Sequence, residues 1–125
     1  MPITRVEVTP KQGQGMRDVR GDVVRRQLAS DHSIDVTTVR SIVGFLVKAE
    51  TTPESIEARC NDLFADPIIE DAGTNTLLIA NQHHFPTSPD VVITVGFKAG
   101  VTDNPGSAAL DGFRTIFPEA GTASI

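Results

Sequence analysis

The chain states one local pattern twice and completes it once. Near the start, Val6-Glu7-Val8-Thr9-Pro10-Lys11 leads through a glycine-rich turn to Gly15-Met16-Arg17-Asp18-Val19-Arg20-Gly21. Near the end, Ile93-Thr94-Val95-Gly96-Phe97-Lys98 leads to Ala99-Gly100-Val101-Thr102-Asp103-Asn104-Pro105-Gly106. Both read as a strand, a lysine, Gly-apolar-polar-Asp, two residues, a glycine and an amphipathic helix; the first copy carries two extra turn residues. The first copy then continues into further elements, whereas the second ends at Ile125 soon after its helix. Repeated units pack together to bury what neither buries alone. A half copy is therefore expected to mean a shortened parent chain or an open surface that awaits a partner.

A chain of 125 residues is one domain by length, or one domain and part of another. Its 39% hydrophobic and 22% charged content is that of an ordinary globular protein, and without Trp or Tyr the core must rest on Val, Ile, Leu and six Phe. The net charge of −5 argues against a nucleic-acid binder, which needs a basic surface. Arg17, Arg20, Arg25 and Arg26 are the only clustered positives, and a solvated helix face is their default reading. Cys60 is alone, which excludes an internal disulfide or a cysteine-based zinc site, and it reads as a small buried hydrophobe. The first residues show no charged-then-apolar leader and no apolar run reaches membrane-spanning length, so a cytoplasmic protein without a membrane partner is expected.

Residues 3–8 alternate as a half-buried strand does. Asp18 is placed to cap a helix that carries Val23, Val24 and Leu28 on one face and closes at Asp31-His32-Ser33. The β-branched stretch that follows reads as two strands, 34–42 and 45–49, with a tight turn at Gly44; one long bent strand is the alternative. Thr51-Thr52-Pro53-Glu54 starts a helix, with a Thr cap and Glu54 as the far side of a capping box counted from Thr51. Ile56, Cys60, Leu63 and Phe64 form its apolar stripe, and Asp66-Pro67 stops it. A last strand begins at 68–71 and resumes at 76–80. The order β-α-β-β-α-β with both helices on one sheet face gives an α+β, two-layer, ferredoxin-like unit over residues 1–80. Residues 81–90 read as a connector, and 91–125 as a truncated second copy: a strand over 91–97, then a helix over 103–117 whose Leu110, Phe113 and Phe117 should cover that strand. Residues 122–125 would open the next strand.

Catalytic chemistry finds little support. His83-His84 are adjacent, so their side chains diverge, and no third ligand stands at metal spacing. Gly13-Gln14-Gly15 lacks the rest of a phosphate loop, and Asp18 would repel an anion. Ser30-Asp31-His32 cannot form a triad from consecutive positions. The recurring residues read instead as a structural or interface motif: Lys11, Gly15, Asp18 and Gly21 in the first copy, and Lys98, Gly100, Asp103 and Gly106 in the second. The aspartates would cap helices, and the glycines after them would admit a close neighbour.

Those motifs carry a resemblance. Strand-Lys, Gly-apolar-x-Asp-x-x-Gly and a helix, then Val39-Arg40 before Gly44 and an aliphatic strand, then Cys60-x-x-Leu63-x-Ala65-x-Pro67-Ile68-Ile69-Glu70-Asp71, is similar to the PurS family, the small subunit of phosphoribosylformylglycinamidine (FGAM) synthase. The likeness runs from residue 3 to about residue 80, and 91–125 resembles the family's opening strand and helix. Tandem halves of this kind resemble the N-terminal region of the longer PurL synthetase subunits. The chain departs from the pattern in its longer first turn, in Ser41-Ile42-Val43 between Arg40 and Gly44, and in the cut-off second half. The resemblance implies a non-catalytic scaffold in purine biosynthesis that bridges the ATP-dependent synthetase (PurL) and the glutaminase (PurQ). It places no cofactor in this chain; ATP, Mg and glutamine are used by the larger complex. Arg40 joins the interface residues on this basis. A ligand-sensing α+β module, binding a small molecule between copies, is the alternative. The half repeat predicts self-association, and a chain ended near Pro89 is expected to behave better.

Overall fold

The computed structural model describes residues 2–12, 16–80, 85, 87–118 and 123–125. Strand β1 (Ile3–Pro10) lies at the centre of a three-stranded antiparallel sheet, between β2 (Val43–Lys48) and β3 (Glu70–Thr74). Val6 stands opposite Phe45 on one side and Thr74 on the other, and Val8 opposite Val43 and Ala72. The alternation of β1 therefore sends Val6 and Val8 to one face, where they join Phe45, Val47 and Ala72 in the core. Glu7 and Thr9 go to the other face and are also buried.

Among the described residues three helices accompany the sheet: α1 (Val19–His32), α2 (Pro53–Phe64) and α3 (Asn104–Ile116). A short 3-10 turn, Leu78–Ala80, follows β3. Helix α2 is capped by Thr52, one residue later than the expected Thr51, and its oxygen accepts from the Ser55 amide at 3.1 Å. The stripe Ile56, Cys60 and Phe64 is buried as its spacing requires, with Leu63 packed at its side. Helix α3 lies beside α2, and its Ala109, Phe113 and Phe117 complete the same core as Val6, Val8 and Val47. Arg59 of α2 donates to the Ile116 carbonyl and lies over the Phe117 ring at 3.9 Å, clasping the two helices.

The α+β class agrees with the sequence reading; several element assignments do not. No strand forms over 34–42; the chain there is irregular, and the single strand after α1 begins at Val43. The strand expected at 68–71 and 76–80 is instead Glu70–Thr74 followed by the 3-10 turn. Residues 91–97 form no strand either, and Val91, Ile93, Val95 and Phe97 stand exposed. Their expected cover, the Leu110, Phe113 and Phe117 face, packs on the first copy's core instead. Ser124 makes an isolated antiparallel bridge to Lys48 on the outer edge of β2.

The reason lies in a contest between two helices for one sheet face. Along α1 only Gly21 is buried, and Val19, Val23 and Val24 are exposed. A buried large apolar side chain contributes about 1.5–3 kcal/mol. Helix α3 brings two phenylalanines with Leu110 and Ile116 to the core, where α1 has only Val24 and Leu28 at matching positions. The richer stripe takes the sheet.

Candidate functional site

The head of α1 and the end of β1 meet at a cavity of about 320 Å³ whose wall includes Lys11, Arg17, Asp18, Asp22, Val39 and Arg40. Asp18 organises it. Its Oδ1 accepts from the Gly21 amide at 2.7 Å, the cap that starts α1, and from the Ser41 hydroxyl at 2.7 Å. Its Oδ2 accepts from the Ser41 amide and faces Arg40 Nε at 3.6 Å. Gly21 is required where it stands: a Cβ there would lie 2.2 Å from the Val39 carbonyl oxygen. The irregular segment before β2 is thus seated directly on the first turn of α1.

Arg40 ties this segment to the sheet. Its Nη2 donates to Thr9 Oγ1 at 3.5 Å and to the Pro10 carbonyl at 3.4 Å, and its guanidinium lies 4.8 Å from the Phe85 ring centre. Thr9 in turn donates to the Ser41 carbonyl at 2.9 Å. At the mouth, Arg17 pairs with Asp22 at 2.9 Å, and this hydrogen bond, with the charges of Arg17, Arg25 and Arg26, holds the Asp22 carboxyl below its ordinary range. Lys11 stands 3.8 Å from Asp71 and also borders a second cleft of about 280 Å³, where Asp62, Glu70 and Asp71 gather.

Lys11, Asp18 and Arg40 line one cavity, and Gly21 abuts Val39 of its wall. Gly15 and the pair His83-His84 lie outside the described residues. The second motif does not line the cavity. It builds the head of α3: Gly100 takes a φ of 82°, which favours glycine, Val101 donates to the Lys98 carbonyl, and Asp103 accepts from the Gly106 amide at 2.8 Å. Sequence reasoning passed over Thr9, Ser41 and Phe85. Thr9 shares a face of β1 with Glu7, and its polar alternation reads locally as a solvated face, so no signal in the sequence marks its burial. Phe85, an aromatic among polar and proline residues, signals an anchor.

Chemically, the carboxylate of Asp18 accepts three hydrogen bonds and pairs with Arg40, so it acts as a clasp between α1 and the chain before β2. At the mouth, Lys11 and Arg17 stand in surface ion pairs with Asp71 and Asp22. Among the described residues no group of three or more His, Cys, Asp or Glu is placed to hold a metal ion, and no helix is long and apolar enough to cross a membrane.

Residues 3–76 match the family model described as PurS: phosphoribosylformylglycinamidine (FGAM) synthase. No curated protein matches. Among solved structures, B. subtilis PurS is 23% identical, with a TM-score of 0.44 over 57% of this chain and 94% of the other. PurLQS from Thermotoga maritima is 23% identical, with a TM-score of 0.40 over 59% and 96%. The PurS subunit of phosphoribosylformylglycinamidine synthase from Thermotoga maritima is 20% identical, with a TM-score of 0.39 over 58% and 90%. The family match spans β1 to the end of β3 and includes every residue of the Asp18 clasp.

Proposed function

Because the chain belongs to the PurS family of FGAM synthase, we propose that it is a non-catalytic part of that enzyme, bridging the ATP-dependent synthetase and the glutaminase. The family match over residues 3–76 carries this reading. The site geometry supports it, since the side chains at the head of α1 are spent on one another: Asp18 on Gly21, Ser41 and Arg40, and Arg40 on Thr9 and Pro10. A clasp of this kind fixes the shape of a surface. The surface it fixes presents Lys11 and Arg17 beside an acidic cleft, a mixed-charge patch suited to orienting a partner.

The test combines this chain with the PurL-type synthetase and PurQ-type glutaminase of its source. Glutamine-driven FGAM formation is expected to need all three, and the chain alone is expected to turn over no ATP. The double variant Lys11→Ala, Arg17→Ala should weaken assembly while lowering the denaturation midpoint only slightly, because each exposed ion pair it removes contributes about 0–1 kcal/mol. Full glutamine-dependent synthesis without this chain would exclude the reading.

A further inference from the structure

Helices α1 and α3 are built to one plan. Asp18 and Asp103 cap them at points 85 residues apart (103 less 18). The same step carries Gly21 to Gly106, Val24 to Ala109 and Leu28 to Phe113, and in α3 all three of these residues are buried. It also carries Val39 to Ser124, which forms the antiparallel bridge to Lys48 on the outer edge of β2. A hairpin of 34–42 with 45–49, turning at 43–44, would set Val39 opposite that same Lys48. In such a hairpin 34–42 would run parallel to β1, because β2 is antiparallel to both. Helix α1 would then be the crossover between two parallel strands, in the place beside α2 that α3 takes.

The two helices are held by different means. Helix α3 is held by Phe113 and Phe117 in the core, by Arg59 across from α2, and by the Ser124 bridge that follows it. Helix α1 buries only Gly21 and leaves Val19, Val23 and Val24 exposed. Its seat is made by Gly21 against Val39 and by Asp18 with Ser41 and Arg40. At the positions of Leu110, Ile116 and Phe117 it carries Arg25, Asp31 and His32, so the balance on the sheet lies with α3. A helix with so little burial is nevertheless free to leave its seat at small cost.

We propose that α1 and α3 are alternative occupants of one sheet face within the single chain, and that their exchange opens and closes the Asp18 clasp. With α3 on the sheet, the segment before β2 sits on the head of α1 and the clasp is closed. With α1 on the sheet, the hairpin register sets Ser41 opposite Leu46. Leu46 stands level with Arg5, four residues along β1 from the Thr9 that donates to the Ser41 carbonyl. Ser41 and Arg40 must then part from Asp18 and Thr9, and the cavity loses the wall made by Val39 and Arg40. Helix α3 thus governs a site that it does not line. The exchange is a property of the fold and does not depend on the synthase assignment.

Disulfide trapping in the full chain tests this. Lys48→Cys is combined once with Ser124→Cys and once with Val39→Cys, and each variant is oxidised with glutathione disulfide; Cys60 is buried and does not compete. The pair at 48 and 124 should close readily, because these residues already face each other. The pair at 39 and 48 should also close, but more slowly. Val39 lines the cavity with Pro10, whereas Lys48 pairs with Ile3, about 20 Å away along β1. Phe113→Ala, which unseats α3, should speed this closure at least about tenfold, and Leu28→Ala, on the face that α1 would bury, should slow it. Closure through global unfolding would not be slowed by Leu28→Ala. Thr38→Cys in place of Val39→Cys is out of register by one residue and should close more slowly, whereas an unfolded chain treats 38 and 39 alike. Once 39 and 48 are linked, α1 amides should exchange slowly and α3 amides fast; linking 48 and 124 should give the reverse. Failure of 39 and 48 to close, closure indifferent to Phe113→Ala or Leu28→Ala, equal closure at 38 and 39, or a link at 39 and 48 that leaves α1 unprotected would overturn the proposal.

Discussion

The two capping aspartates occupy equivalent positions in the sequence, yet they hold different things. Asp103 serves one amide at the head of a helix that is part of the core. Asp18 serves Gly21, Ser41 and Arg40, but its helix buries almost nothing. Asp103→Ala should therefore lower global stability by about 0.5–2 kcal/mol, read from the urea midpoint. Asp18→Ala should chiefly free α1 and residues 38–41, seen as faster amide exchange there with a smaller change in midpoint. Glu7 is a buried acid whose two oxygens are both used: Oε1 accepts from the Leu78 amide at 2.9 Å and Oε2 pairs with Arg5 at 2.9 Å. Glu7→Ala leaves a buried amide unpaired and should cost about 1–3 kcal/mol, while Glu7→Gln, which keeps an acceptor, should cost less. Burial also raises the Cys60 thiol above its ordinary value, against a smaller opposing effect of Arg59. Such a thiol stays protonated in the folded chain while the unfolded chain ionises. Stability should then fall as pH rises past about 8.5, and Cys60→Ala should flatten that fall.

At the level of elements, what could be read from sequence was whatever local chemistry decides. The α2 stripe Ile56, Cys60 and Phe64, the start at Pro53 and both aspartate caps follow from spacing and capping, which act within a turn or two. The strands at 34–42 and 91–97 were misread for one reason: alternation reports that a segment can be a strand, and pairing decides whether it is one. Residues 34–42 pair with no strand, and the outer edge of β2 carries the isolated bridge of Ser124 to Lys48. Residues 91–97 lost their cover when Phe113 and Phe117 turned to the first copy's core. Neither event is visible in a local window, because each is settled by comparing α1 with α3 over a distance of 85 residues (103 less 18). The site was legible in part. Asp18 and Gly21 were marked by repetition and Arg40 by family likeness, whereas Ser41, Thr9 and Phe85 became partners only through the fold.

The whole molecule reverses one expectation, that a chain ended near Pro89 would be better behaved. Phe113, Phe117, Ala109 and Ala123 belong to the core that Val6, Val8 and Val47 line. Removing residues 90–125 strips that face of α3, and two buried phenylalanines alone account for about 3–6 kcal/mol. The shortened chain has one remedy. The vacated face matches α1 in register, and the family match lies wholly within the residues that remain. Helix α1 should therefore swing onto the sheet, with Val24 and Leu28 where Ala109 and Phe113 had been, and residues 34–42 should become free to pair with β2. Val24 and Leu28 return less than the two phenylalanines, so residues 1–89 should fold with a lower denaturation midpoint than the full chain. The decisive reading is local. Amides of α1, weakly protected in a monomeric full chain because only Gly21 is buried, should become strongly protected in the shorter one. A shortened chain as stable as the full one, or one in which α1 exchanges as fast as before, would show that α1 and α3 do not compete for the same face.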